Sequence, residues 1–196
     1  MILQNYVWQA PNFFSVSEID DLIHASNKLE WHGGQIGGAN QNQDPDREEE
    51  GGVEDHNIRS SQIKWFTDST LPKDFEIKLN DAINMANADC KWNHEIEYME
   101  NPQYTVYNEQ PERKGDFYTW HTDAGPFVYP NGKIRKLSMT VQLSNQDDYE
   151  GGYFQWLEPQ RQFDRMGGTN PQVNMADAIQ TLSFSSKGIG SVVVFP

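Results

Sequence analysis

Leu137-Ser138-Met139-Thr140-Val141-Gln142-Leu143 reads as a β-strand, because period-two alternation places Ser138, Thr140 and Gln142 together on one side. Similar short runs recur around it, at Ile96–Met99, Tyr104–Tyr107, Phe117–His121, Tyr153–Leu157, Thr181–Phe184 and Ser191–Phe195. Turn residues divide them: Glu112-Arg113-Lys114-Gly115, Pro130-Asn131-Gly132, the stretch from Asn145 to Gly152, and Lys187-Gly188. Several short strands at this spacing predict an antiparallel sandwich or barrel over residues 95–196. No repeat of fixed period is visible.

Residues 1–94 have a different texture. Tyr6-Val7-Trp8 is strand-like, and Ser15-Val16-Ser17-Glu18 has the Ser-x-x-Glu spacing of a capping box. Ile19, Leu22, Ile23 and Leu29 then fall on one helical face. A second helix is predicted from Pro72, suited to a first helical position, to about Asn87, with Phe75, Leu79, Ala82, Ile83 and Ala86 at three- and four-residue spacing. Between the helices, residues 33–56 carry six glycines, seven acids and one base, Arg47. Asp44 and Asp46 alternate as in a calcium loop, but Glu49 stands where an EF-hand needs glycine. A solvated loop is the expectation, of a length that often serves as a lid or substrate arm.

Composition narrows the function classes. The 196 residues carry a formal net charge of −14, which argues against a binder of duplex nucleic acid or of an anionic membrane. No apolar run approaches the roughly 20 residues of a membrane span, and the first residues lack the basic start and apolar stretch of a signal peptide. One cysteine, Cys90, excludes an intrachain disulfide and a multi-cysteine zinc site, and is expected as a buried small hydrophobe. A soluble, cytoplasmic protein is the expectation. Walker-type phosphate loops, a Gly-x-Ser-x-Gly elbow and a Cys–His pairing are all missing from the chain.

His121-Thr122-Asp123 closes a predicted strand, where residues i and i+2 point the same way. An imidazole and a carboxylate so placed are two thirds of the facial triad that holds non-haem iron(II). The plainer reading of the tripeptide is a strand-end histidine hydrogen-bonded to a turn carboxylate. Context shifts the balance. Gly115–Asp123, Arg135–Ser144, Tyr149-Glu150-Gly151-Gly152-Tyr153-Phe154 and Lys187–Pro196, in this order and spacing, closely resemble the iron(II)/2-oxoglutarate-dependent dioxygenases, in their prolyl 4-hydroxylase-like branch.

That resemblance covers residues 95–196 and, more loosely, the N-terminal half. It implies an α+β, mainly β fold with a double-stranded β-helix (jelly roll) core and N-terminal supporting helices. The expected layout is one domain over 1–196, with helical support in 1–94 and the core in 95–196. It also implies an oxygenase using iron(II), 2-oxoglutarate and molecular oxygen, with ascorbate as reductant, to hydroxylate a C–H bond of a protein residue such as proline or of a small molecule. His121 and Asp123 would be iron ligands, and Tyr118, Ser138 and Gln142 would face the cosubstrate. Gln142 stands where some relatives have tyrosine, and a core aromatic or plain sheet residues are the alternatives for these three positions.

The chain departs from the family pattern in one respect. The pattern calls for a second ligand histidine on a late strand and a Lys or Arg about ten residues beyond it. The histidines are 24, 32, 56, 94 and 121, so none follows His121. The expectation is therefore a chain ending before those residues, with His94 or His56 as remote substitutes. Ser191–Phe195 would then alternate inward and outward and leave an open sheet edge favouring a homodimer. A jelly-roll module binding a peptide or sugar without catalysis is the rival reading.

Overall fold

The computed structural model describes residues 5–36, 54–109, 115–124, 128, 132–158, 179–182 and 188–196. Most of the acidic loop (37–53), residues 112–114 and 130–131 of two expected turns, Lys187, and the Ser183–Phe184 end of one expected strand lie outside them. In chain order the elements are β1 (Trp8–Ala10), α1 (Val16–Ser26), β2 (His32–Gly33), β3 (Arg59–Ser60), β4 (Gln62–Trp65), α2 (Lys73–Asp89), β5 (Gln103–Val106), β6 (Phe117–Tyr118) and β7 (Ser138–Val141). A short 3₁₀ turn (Gln146–Asp148) then leads to β8 (Gln155–Leu157), β9 (Ile179–Thr181) and β10 (Val192–Phe195). The protein is α+β, mostly strands in small antiparallel sheets with two helices among the described residues.

Both helices form where their local signals predict. At the start of α1, Glu18 accepts from the Ser15 backbone N–H at 2.8 Å, and the Ser15 hydroxyl accepts from the Glu18 N–H at 3.3 Å. This reciprocal pair satisfies two amides that the helix itself leaves unpaired. In α2 the Glu76 N–H donates to the Pro72 carbonyl, and Phe75, Leu79, Ala82 and Ala86 are buried at the expected spacing. The stretch expected as helical support also supplies four strands, β1 to β4. The alternating run Ile96–Met99, in contrast, forms no strand.

The chain divides into two compact units, each drawn from both halves of the sequence. The first comprises Met1–Ile19, Asp81–His94 and Leu137–Pro196. Its main sheet has the order β1-β10-β7, with Val193 opposite Gln9 on one side and Thr140 on the other. The β8–β9 hairpin belongs to the same unit, and its approach sets Phe154 against Phe195 with ring centroids 5.1 Å apart. Phe14, Ile19, Ala82, Ala86 and Trp92 are buried in this unit.

Two expectations for the last strand are corrected here. Val192, Val193 and Val194 are all buried rather than alternating, and β10 is the middle strand of its sheet rather than an open edge. A strand covered on both faces reads as a continuous apolar run, so alternation fails as a guide. With β1 and β7 on either side, the argument for dimerisation through this strand loses its basis.

The second unit comprises Asp20–Asn80 and Glu95–Lys136. It contains a sheet of order β2-β4-β5 and the two-stranded β3–β6 ladder. Its buried set includes Leu22, Ile63, Phe66, Leu71, Phe75 and Leu79. β4 is inverted in polarity: Lys64 is 4% exposed, while Trp65 is 47% exposed. The Lys64 ammonium donates to the Ser26 carbonyl at 2.8 Å and lies 4.1 Å from the centre of the Trp31 ring. A buried ammonium is tolerated because a carbonyl and an aromatic face replace its water.

Two substitutions probe this framework. Ser15→Ala removes the cap of α1 and should cost about 1 kcal/mol. Gly190 has φ +79°, and a Cβ there would lie 2.0 Å from the Phe14 carbonyl oxygen. Gly190→Ala should therefore cost more than the roughly 1–2 kcal/mol of the left-handed conformation alone. Urea unfolding midpoints check both, and an equal loss in the two variants would contradict the steric argument.

Candidate metal-binding pair at His121 and Asp123

Two short ladder contacts place the histidine. Arg59 pairs with Tyr118 and Ser60 with Phe117 in the β3–β6 ladder, and the Thr119 N–H donates to the Ile58 carbonyl at 2.9 Å. The Ser60 hydroxyl donates to Asp116 at 2.5 Å, and the same carboxylate accepts from the Asn108 N–H at 2.9 Å. That carboxylate anchors the entry to β6. The strand ends at Tyr118, earlier than expected, and the chain turns through residues 119–124.

The turn brings three predicted residues together. His121 Nε2 lies 3.1 Å from Asp123 Oδ1, and Nδ1 lies 2.6 Å from the Thr119 carbonyl oxygen. The imidazole stacks on the Tyr118 ring, with centroids 3.5 Å apart and planes 12° from parallel. Arg135 supports the same turn, donating from Nη1 to the Asp123 carbonyl at 3.1 Å while pairing with the Glu100 carboxylate. Ser138 and Gln142 belong to the first unit. There Gln142 donates its amide N–H to the Tyr149 hydroxyl at 2.9 Å and to the Ser144 carbonyl at 3.1 Å. Gln142 also lines a small cavity with Thr140, Gly152, Phe154, Leu182, Ser191 and Val193.

Arg59 is the residue that sequence reading missed. It is 7% exposed, and its guanidinium carbon lies 4.8 Å from the centre of the Tyr118 ring. A cation opening the two-residue strand β3 carries no apolar signal, so only its burial marks it out.

Electrostatics follow from these contacts. The Asp123 carboxylate holds the His121 pKa above its ordinary 6.5, with help from the Thr119 carbonyl; burial and the Arg59 guanidinium pull the other way. Burial pushes the Tyr118 phenol up, against the lowering effect of Arg59. Protonated His121 donates from both ring nitrogens, one to a carbonyl and one to a carboxylate.

The same geometry meets a metal's requirements in part. Two donors each about 2.1 Å from a metal and at right angles stand about 3.0 Å apart, close to the spacing of Nε2 and Oδ1. The Nδ1 contact to a carbonyl fixes the tautomer that leaves Nε2 free as a ligand once it is deprotonated. Among the described residues, no group of three or more His, Cys, Asp or Glu side chains converges to hold a metal. The expected third ligand is thus without a counterpart there, and neither His56 nor His94 completes the set.

A scan against protein-family models gives no match, and a search of curated proteins gives none. No helix among the described residues is long and apolar enough to cross a membrane.

Because the folded-state pKa of His121 is raised, its interaction with Asp123 stabilises the protein fully below the unfolded value near 6.5. That contribution is lost as pH rises through the folded value. Asp123→Asn should lower the His121 titration midpoint followed by NMR, and should destabilise the protein at acid pH more than at alkaline pH. An unchanged midpoint would show that the carboxylate does not act on the ring.

Proposed function

We propose that this chain is an iron(II)- and 2-oxoglutarate-dependent oxygenase that hydroxylates a C–H bond of a protein residue, proline among them, or of a small molecule. The observation that carries the reading is the pair His121 Nε2 and Asp123 Oδ1, 3.1 Å apart on one turn, as cis ligands of one metal would be. The four ordered sequence segments that resemble this family support it, and they extend the proposal to a jelly-roll core. The small antiparallel sheets are compatible with such a core. When bound, iron(II) with 2-oxoglutarate and oxygen supplies the oxidising chemistry, which belongs to the cofactor.

The chain's own residues bind and orient. His121 and Asp123 offer two donors, the Thr119 carbonyl sets the imidazole tautomer, and the Tyr118 ring supports its face. Arg135 holds the Asp123 backbone. In the proposal the Tyr118 phenol contributes a polar group beside the pair. Metal binding at Nε2 requires that nitrogen to give up the proton it shares with Asp123, so protons and metal compete for the site.

A second reading is favoured by the same contact. A hydrogen-bonded His121–Asp123 pair is complete without a metal, and Trp120, 52% exposed, stands next to it, as in a module binding a peptide or sugar.

Anaerobic titration with iron(II) separates the two. The oxygenase reading expects binding that tightens as pH rises through the His121 pKa and that is lost in His121→Ala and Asp123→Ala. With only these two donors converging among the described residues, it also expects that binding to be weak and readily exchanged. Binding that is unaffected by both substitutions, or is independent of pH, would remove the pair from the site.

A further inference from the structure

We propose that Arg59 is the positioning residue of the His121–Asp123 pair, acting through the Tyr118 ring on which His121 stacks. The guanidinium is set in a closely built frame. Nε donates to the Ser61 hydroxyl at 2.9 Å, Nη1 to the Gln35 carbonyl at 3.0 Å and Nη2 to Gln103 Oε1 at 2.7 Å. Gln103 is itself held, since its Oε1 also accepts from the Thr105 hydroxyl at 3.1 Å. The backbone beside the frame leaves no slack: a Cβ on Gly34 would fall 2.1 Å from the Ser61 hydroxyl and 2.9 Å from Arg59 Nε.

A cation with so little exposure remains charged only where hydrogen bonds replace its water, and these three partners do so on three different nitrogens. The guanidinium is therefore fixed in position, and its carbon lies over the cross-strand neighbour Tyr118. A cation facing a ring adds directional attraction to the cross-strand contact. Tyr118 in turn carries the nearly parallel imidazole of His121. The order of support runs from a fixed guanidinium, through one ring, to the candidate ligand nitrogen. Lysine at position 59 would keep the charge, but its single ammonium cannot reach three partners in one plane.

The test reads position and binding separately in the full chain. The His121 ring-proton signals, assigned by their loss in His121→Ala, should lie upfield of ordinary histidine because Tyr118 covers the ring. In Arg59→Met they should move to the ordinary position while the His94 signals stay in place, with Arg59→Lys falling between. Manganese(II) titration should show about tenfold weaker binding in Arg59→Met, the usual scale for groups that orient a metal ligand. If Arg59→Met does not fold, Gln103→Leu removes one partner of the guanidinium and should shift the same signals in the same direction. Wild-type signals at the ordinary position, or signals unchanged in a folded variant, would overturn the proposal. The metal arm rests on the oxygenase reading. If no manganese binds to wild type while the signals still depend on Arg59, the positioning role stands and that reading fails.

Discussion

Antiparallel pairing between strands far apart in the chain is the constraint on which the rest of the structure depends. Among the described residues no strand exceeds four residues, so none can stand alone, and each needs a partner to satisfy its backbone groups. The partners come from opposite halves of the sequence: β1 with β10, β4 with β5 and β3 with β6. In a ladder as short as β3–β6, register decides everything, because a slip of one residue turns every side chain to the other face. The pairing of Arg59 with Tyr118 is therefore what puts a buried cation beside the aromatic ring under His121.

A chain with a net charge of −14 buries two cations among its described residues, and each replaces its water differently. Lys64 uses one carbonyl and the face of Trp31, whereas Arg59 uses three hydrogen-bond acceptors and the face of Tyr118. The difference follows from their shapes, a compact ammonium against a flat fork. Each buried cation ties together separate segments of the second unit. Arg59 joins Gln35, Ser61 and Gln103, and Lys64 joins β4 to the end of α1.

The geometry of the His121–Asp123 contact is compatible with two chemical states. As a protonated pair it is a charge-assisted hydrogen bond, and in the proposed function the same two atoms, once deprotonated, would be the donors to one metal. The surroundings favour neither state entirely. Asp123 and the Thr119 carbonyl favour the proton, while Arg59 and partial burial oppose it.

Local chemistry was legible in the sequence by itself. It determined both helices, through the Ser15–Glu18 capping box and the apolar spacing of α2, and most of the C-terminal strands, through alternation and turn residues. It also pointed to His121 and Asp123 as a pair, through their spacing of two, whereas Tyr118 was named through the family resemblance and came to stack on His121 only because β6 ends at Tyr118. What it could not show was pairing. β4 went unread because Gln62-Ile63-Lys64-Trp65 buries its lysine and exposes its tryptophan, the reverse of what hydrophobicity predicts. The all-buried Val192–Val194 and the place of β10 between β1 and β7 were decided by tertiary structure alone, as was Arg59 over the ring of Tyr118. The physical reason is the same in each case: burial and register depend on partners dozens of residues away, and no local pattern records which partner arrives.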